Sequence, residues 1–198
     1  MTHHYDIIKL DQLKALSSPV RGEIIDLLEL FGPLSIAELA EYMSANLDSL
    51  YYHIRILQRV GLVIQKEKRK AARQQEVVFD LPGRPMHVIY QPTETEQVSA
   101  LIRSISMMLR MAARNIAAAF AHKLVFVKGR KRNVIHARTL GWFTDDEIVE
   151  LQNQINKTIS TFKNSARKRQ EDSKLYALTT ILTPLVVSKR ERKANDAS

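Results

Sequence analysis

The apolar period of this chain changes at Gly61, and that change constrains the fold more than any other feature. From Leu47 to Val60 the apolar residues fall at helical steps, with Leu50, Ile54 and Leu57 on one face. Past Gly61, a residue suited to end a helix, come two short β-branched runs, Leu62-Val63-Ile64 and Val77-Val78-Phe79. Between them, Lys66 to Gln75 is almost wholly polar, with Lys66, Lys68, Arg69, Lys70 and Arg73 against a single acid, Glu67. Two strands around a long basic loop predict a β-hairpin following the helix.

Upstream, Leu13, Leu16, Val20, Ile24, Ile25, Leu27, Leu28 and Phe31 recur at helical spacing. Ser17-Ser18-Pro19 interrupts them, and Pro19 suits the first turn of a new helix, where its missing N–H is not needed. Gly32-Pro33 stops that helix. Ser35-Ile36-Ala37-Glu38 is a capping box, and Ile36, Leu39, Ala40 and Met43 behind it share a face. Ser44-Ala45-Asn46 is a tight break before the helix from Leu47. Short helices, then strand, basic loop and strand, is the order of a winged helix-turn-helix. The predicted fold class is therefore α+β, mostly α. Pro82-Gly83-Arg84-Pro85 marks the end of the first domain, placed at 1–83.

The remainder reads as a region at 84–188 and a charged, disordered tail at 189–198. From Thr93 to about Lys123 an apolar set keeps a 3–4 spacing over roughly 45 Å of helix at 1.5 Å per residue. Leu101, Ile105, Met108, Leu109, Ala112 and Ile116 are its candidate dimerisation residues. The small residues Ala112, Ala113, Ala117, Ala118, Ala119 and Ala121 permit close helix approach; the same stripe is also able to cover a sheet within the chain. Strands are expected at Leu124 to Val127, Val134 to Leu140 and Leu175 to Leu182, making a small antiparallel sheet. Thr144-Asp145-Asp146-Glu147 opens another helix expected to bury Ile148, Leu151, Ile155, Ile159 and Phe162.

A formal charge of +9 and a pI near 9.8 favour a polyanionic partner, because each cation docked on a phosphate releases condensed counterions. With no cysteine, disulfide frameworks, thiolate metal sites and cysteine nucleophiles are excluded. The N-terminus lacks a signal-peptide pattern, and charges interrupt the longest apolar stretch, so the expectation is a cytoplasmic protein with no membrane span. The six histidines are scattered, with no metal-ligand spacing, glycine-rich phosphate loop or serine elbow. No metal, no cofactor and no enzymatic activity are expected.

The run Leu16-Ser17-Ser18-Pro19-Val20-Arg21, then Leu34-Ser35-Ile36-Ala37-Glu38-Leu39-Ala40, then Ser49-Leu50-Tyr51-Tyr52-His53-Ile54-Arg55-Ile56-Leu57 ending in Val60-Gly61-Leu62-Val63, resembles the ArsR-like (arsenic-repressor-like) regulators from about Leu10 to Leu81. The resemblance implies a winged helix whose recognition helix enters the major groove of double-stranded DNA. Asn46, Asp48, Ser49, Tyr51, Tyr52 and Arg55 face outward as its candidate contacts. Lys66, Lys68, Arg69, Lys70 and Arg73 are candidate phosphate or minor-groove contacts of the wing. His53 and Tyr42 are read as structural, His53 with one ring nitrogen satisfied and Tyr42 in the core. The Cys-rich metal sensing of some ArsR-like proteins does not carry over. The expected function is a homodimeric transcriptional regulator, a repressor on a partly palindromic operator, with room for a small-molecule effector not identified by the sequence. The alternative is a protein-interaction or architectural module with non-specific nucleic-acid binding.

Overall fold

The computed structural model describes residues 4–71, 74–89, 95–165, 171 and 173–186. The fold is mixed α+β. Its first unit holds β1 (Tyr5–Ile7), α1 (Leu10–Leu16), α2 (Pro19–Phe31), β2 (Leu34–Ser35), α3 (Ile36–Met43), α4 (Leu47–Arg59), β3 (Ile64–Ala71), β4 (Gln74–Asp80) and β5 (Met86–Val88). Two long helices follow, α5 (Thr95–Ala121) and α6 (Asp145–Ser165).

Local chemistry sets the helix ends. Pro19 opens α2, and Gly32, at φ +83°, closes it while its N–H reaches the Leu28 carbonyl. The capping box forms as expected: Ser35 Oγ accepts from the Glu38 N–H at 3.2 Å, and Glu38 Oε2 accepts from the Ser35 N–H at 2.7 Å. Ser44 breaks α3 from α4 in the left-handed region, at φ 48°. Gly61 turns the chain after α4 at φ +76°, a conformation a side chain would strain.

One core lies beneath these helices. Ile24, Leu28, Leu39, Leu50, Ile54, Leu57 and Leu62 are essentially inaccessible to solvent, so three residues of α4 do face inward as their spacing predicts. Burying each such side chain contributes about 1.5–3 kcal/mol. The sheet order is β2–β4–β3, antiparallel throughout, with a register shift between Gln65 and Glu67. The basic segment expected as a loop is instead mostly strand, because backbone pairing continues from Ile64↔Asp80 out to Ala71↔Gln74. A ladder needs partnered amides, not apolar side chains. The tip, with Arg73, falls outside the described residues.

A second, two-stranded parallel sheet joins β1 to β5, pairing Tyr5 with Met86 and Ile7 with Val88. The Ile89 N–H continues this pairing to the Ile7 carbonyl, so hydrogen bonding to the first unit runs past residue 83. Gln12 ties the region together. Its Oε1 accepts from the Ile8 and Lys9 N–H groups, and its Nε2 donates to Tyr5 Oη at 2.9 Å and to the Val60 carbonyl at 3.0 Å.

α5 lies along α1 and α2. Its inner face includes Gln97, Ala100 and Met107, all buried, and Lys14–Glu96 and Arg114–Glu23 ion pairs flank the seat at 3.3 and 2.8 Å. The helix approaches closely at Gly22, where an added Cβ would stand 3.0 Å from Met107 Cε.

The second half departs from expectation in two ways. No strand forms among the described residues at 124–127, 134–140 or 175–182, so the small antiparallel sheet of this fold is that of the wing. Asn133 accounts for part of this. Its Oδ1 accepts from the Phe126 N–H and its Nδ2 donates to the Leu124 carbonyl, both at 2.8 Å, where a partner strand would bond. α6 forms behind its Thr144–Glu147 box, but none of its residues is buried. Ile148, Leu151, Ile155 and Ile159 are only half-covered and Phe162 is exposed. The tail placed at 189–198 lies outside the described residues.

Candidate nucleic-acid interface

α4 packs its inner face on α1, α2 and α3, and its outer face stays open. Asp48, Ser49, Tyr51, Tyr52 and Arg55 are all exposed, and Asp48, Tyr51, Tyr52 and Arg55 together line a shallow depression. The Tyr51 and Tyr52 phenols, the Arg55 guanidinium and the Ser49 hydroxyl thus stand on the exposed face of one helix. That set can donate to base edges and to phosphate oxygens. Asn46 is exposed beside them and has a structural tie as well. It is the N-cap of α4, and its Oδ1 accepts from the Asp48 N–H at 2.8 Å, so its side chain starts the helix.

The two residues read as structural behave differently. Tyr42 is not in the core: half exposed, it stacks on the exposed Phe31 with ring centroids 4.5 Å apart and planes at 8°. Its position near the end of α3 turns the ring outward. His53 is partly buried and edges against Tyr52, with centroids 5.3 Å apart. Its Nδ1 is buried with no hydrogen-bond partner among the described residues. Burial first, and the nearby Arg21 second, lower its pKa, so the ring stays neutral at neutral pH.

Arg21 is a member of this surface that sequence patterning missed. It lies on α2, its Nε donates to the Ala15 carbonyl at 2.5 Å, and its charge is felt at both Tyr52 and His53. Burial lowers its pKa, and the electrostatic influence of the Tyr52 phenol acts against that. A lone Arg one turn into a helix carries no pattern of its own, and only the crossing of α2 under α4 brings it here.

The wing cations divide by partner. Lys66 Nζ donates to buried Asp80 at 2.8 Å, and Arg84 donates to the same carboxylate and, at 2.7 Å, to the Leu28 carbonyl. Burial alone would raise the Asp80 pKa, but hydrogen bonds from Arg84, Lys66 and the Leu81 N–H outweigh it and hold the carboxyl below its usual range. Arg69 pairs with Glu38 at 2.6 Å, tying β3 to the start of α3. Burial would likewise raise the Glu38 pKa, yet the Ser35 N–H and Arg69 bring it down. Lys68 is exposed, with no ion pair among the described residues. Lys70 lies on β3 with its side chain outside the description, and Arg73 is outside it altogether. Two of the five wing cations therefore brace the hairpin.

Of the candidate dimerisation residues, Met108, Leu109 and Ile116 are exposed, and Leu101, Ile105 and Ala112 are half-covered. They lie on flanks of α5 turned away from its buried inner face. Among the described residues there is no cluster that could hold a metal ion, and no helix is long and apolar enough to cross a membrane.

Capped helices ending in an outward-facing helix, backed by a three-stranded antiparallel hairpin sheet, define a winged helix-turn-helix domain. Consistently, residues 16–65 match the family model of the helix-turn-helix domain. The chain is also similar to the solved structure of a transcriptional regulator homologue protein from Pyrococcus horikoshii OT3. The two share 23% identity over 50% of this chain and 85% of that chain, with a TM-score of 0.32, a loose likeness. No curated protein matches the chain.

Proposed function

We propose that this protein is a sequence-specific, DNA-binding transcriptional regulator of the ArsR-like kind, acting as a homodimer on a partly palindromic operator and repressing by covering a promoter. The open outer face of α4 carries this reading: Ser49, Tyr51, Tyr52 and Arg55 are exposed side by side on the helix that a winged helix sets into the major groove. The net charge of +9 supports an anionic partner, and exposed Lys68 supplies a wing contact to phosphate. The exposed flank of α5 supports pairing of two copies, which would set the two reading helices about 34 Å apart.

The test is binding of the full chain to genomic fragments at two salt concentrations. Retention of particular partly palindromic fragments at the higher salt is expected. Uniform loss of all fragments would instead favour an architectural module with non-specific affinity. In the double variant Y52A/R55A preference for the target is lost while helix content is unchanged. Preference that survives in that variant places the reading surface elsewhere.

A further inference from the structure

We infer that the apolar segments at 134–140 and 175–182 gain their cover between two copies of this chain, completing their strands against the second copy. This rests on the homodimer reading and adds which parts exchange.

The first observation is apolar side chains in solvent. Ile135, Trp142, Leu175 and Leu140 are 82%, 76%, 74% and 69% exposed, and α6 contributes no buried residue. An apolar surface that extends over several consecutive segments marks an interface. The second observation is the backbone. Among the described residues, 134–143 and 174–186 belong to no helix or strand and make no backbone–backbone hydrogen bonds. Chain whose backbone groups are not paired with other backbone, the Val134 and Pro184 carbonyls accepting only from Arg132 Nε and Thr183 Oγ1, is a template for another strand. The turn that precedes the first of these segments approaches the second: Phe126, Lys131 and Asn133 share an open depression with Lys174 and Tyr176.

Two features select a second copy as the partner. The exposed flank of α5 runs into this surface with Ile102, Ile105, Leu109, Ala112 and Ile116 at alternating steps of three and four, a seam that matches itself. The charges also match across a two-fold axis. Lys128, Arg130, Lys131 and Arg132 crowd one turn, while Asp145, Asp146, Glu147 and Glu150 crowd the start of α6. No ion pair within the chain joins the two sets among the described residues. In a symmetric pair each turn meets the other copy's helix start, and both sets are neutralised at once. A nucleic acid on the same turn would answer the cations and leave the acids and the strand edges unanswered.

Sedimentation velocity and amide hydrogen exchange on the full chain test this. The native protein is expected to be a dimer with protected amides at 134–140 and 175–182. R130E/K131E and D146K/E150K, which spare the Thr144–Glu147 box, each raise the dimer dissociation constant at least about tenfold and expose those amides. Mixing the two variants one to one restores a dimer. A native chain that is monomeric at about 50 µM overturns both this inference and the homodimer reading. A native dimer with unprotected amides in those segments overturns this inference alone, as does a dimer indifferent to the charge reversals or variants that fail to recover on mixing. Circular dichroism checks that each variant is folded; if either is not, the exchange pattern of the native dimer decides.

Discussion

Replacing Asp80 by alanine removes the acceptor on which the root of the wing converges. Its side chain is 5% exposed and takes hydrogen bonds from Lys66 Nζ, the Leu81 N–H and Arg84. Lys66, half exposed, can turn to water, and its loss costs little. Arg84 is 19% exposed and keeps only the Leu28 carbonyl as partner, so most of the cost is its stranded charge. Breaking a buried pair from one side costs about 3–5 kcal/mol, and the surviving bond places this case near 3. That is a large share of a stability of about 5–15 kcal/mol. With a urea slope of about 1.2 kcal/mol per molar, the midpoint followed by circular dichroism falls by about 2.5 M. D80A/R84M, which removes both charges, recovers at least about 1 kcal/mol of the loss. The sign with pH follows from the depressed Asp80 pKa: the contribution is complete above the unfolded value near 3.9 and is lost as pH falls through the folded one. A midpoint shift under about 0.4 M, or a double variant no better than the single one, would refute the assignment of Asp80 as the anchor.

The other expectations are simpler. K68A lowers DNA affinity evenly across sequences and reduces the slope of log K against log salt by about 1, whereas K66A acts mainly on stability through Asp80; filter binding over a salt series and urea melts separate the two. G61A costs about 1–2 kcal/mol in a urea melt, because φ +76° is left-handed for a side chain and Tyr5 Oη stands 3.4 Å from the new Cβ; no loss would mean the turn relaxes. E38A removes half of the capping box and frees Arg69, costing about 1 kcal/mol by the same measurement. Asp26 on α2 has a pKa raised to about 6, by desolvation first and then by Glu23 and Glu29. A raised carboxyl penalises folding above that pH and not below about 4. D26N therefore stabilises the protein at pH 7 but not at pH 4, by less than about 1 kcal/mol because solvent reaches this side chain; equal gains at both pH values would contradict the sign.

The first eighty residues were legible because their signals are local. Pro19, Gly32, the Ser35–Glu38 box and Gly61 each act within a turn of where they stand, and Leu50, Ile54 and Leu57 repeat within one helix. β1 and β5 were not legible: each is three residues long, and its partner lies about eighty residues away in the chain. The outer wing strands escaped notice for a different reason, since their residues are polar and the ladder alone holds them. On the reading surface, periodicity found the exposed side of α4 but could not tell that Asn46 caps it or that Lys66 and Arg69 are bonded elsewhere. In the second half the apolar pattern marked residues that need covering. It carries no information about what covers them: the inner face of α5 is buried, whereas α6 buries no residue.

The contact at Gly22 has a consequence for how the long helix is held. With Met107 Cε 3.0 Å and Met111 Sδ 3.6 Å from where a methyl would stand, α5 seats on α2 there with no room for a larger residue unless those side chains shift. One added carbon there would require the Met107 side chain to give by a few tenths of an ångström. The size of the side chain at position 22 is thus a lever on how α5 seats against α2, at a place apart from the exposed face of α4.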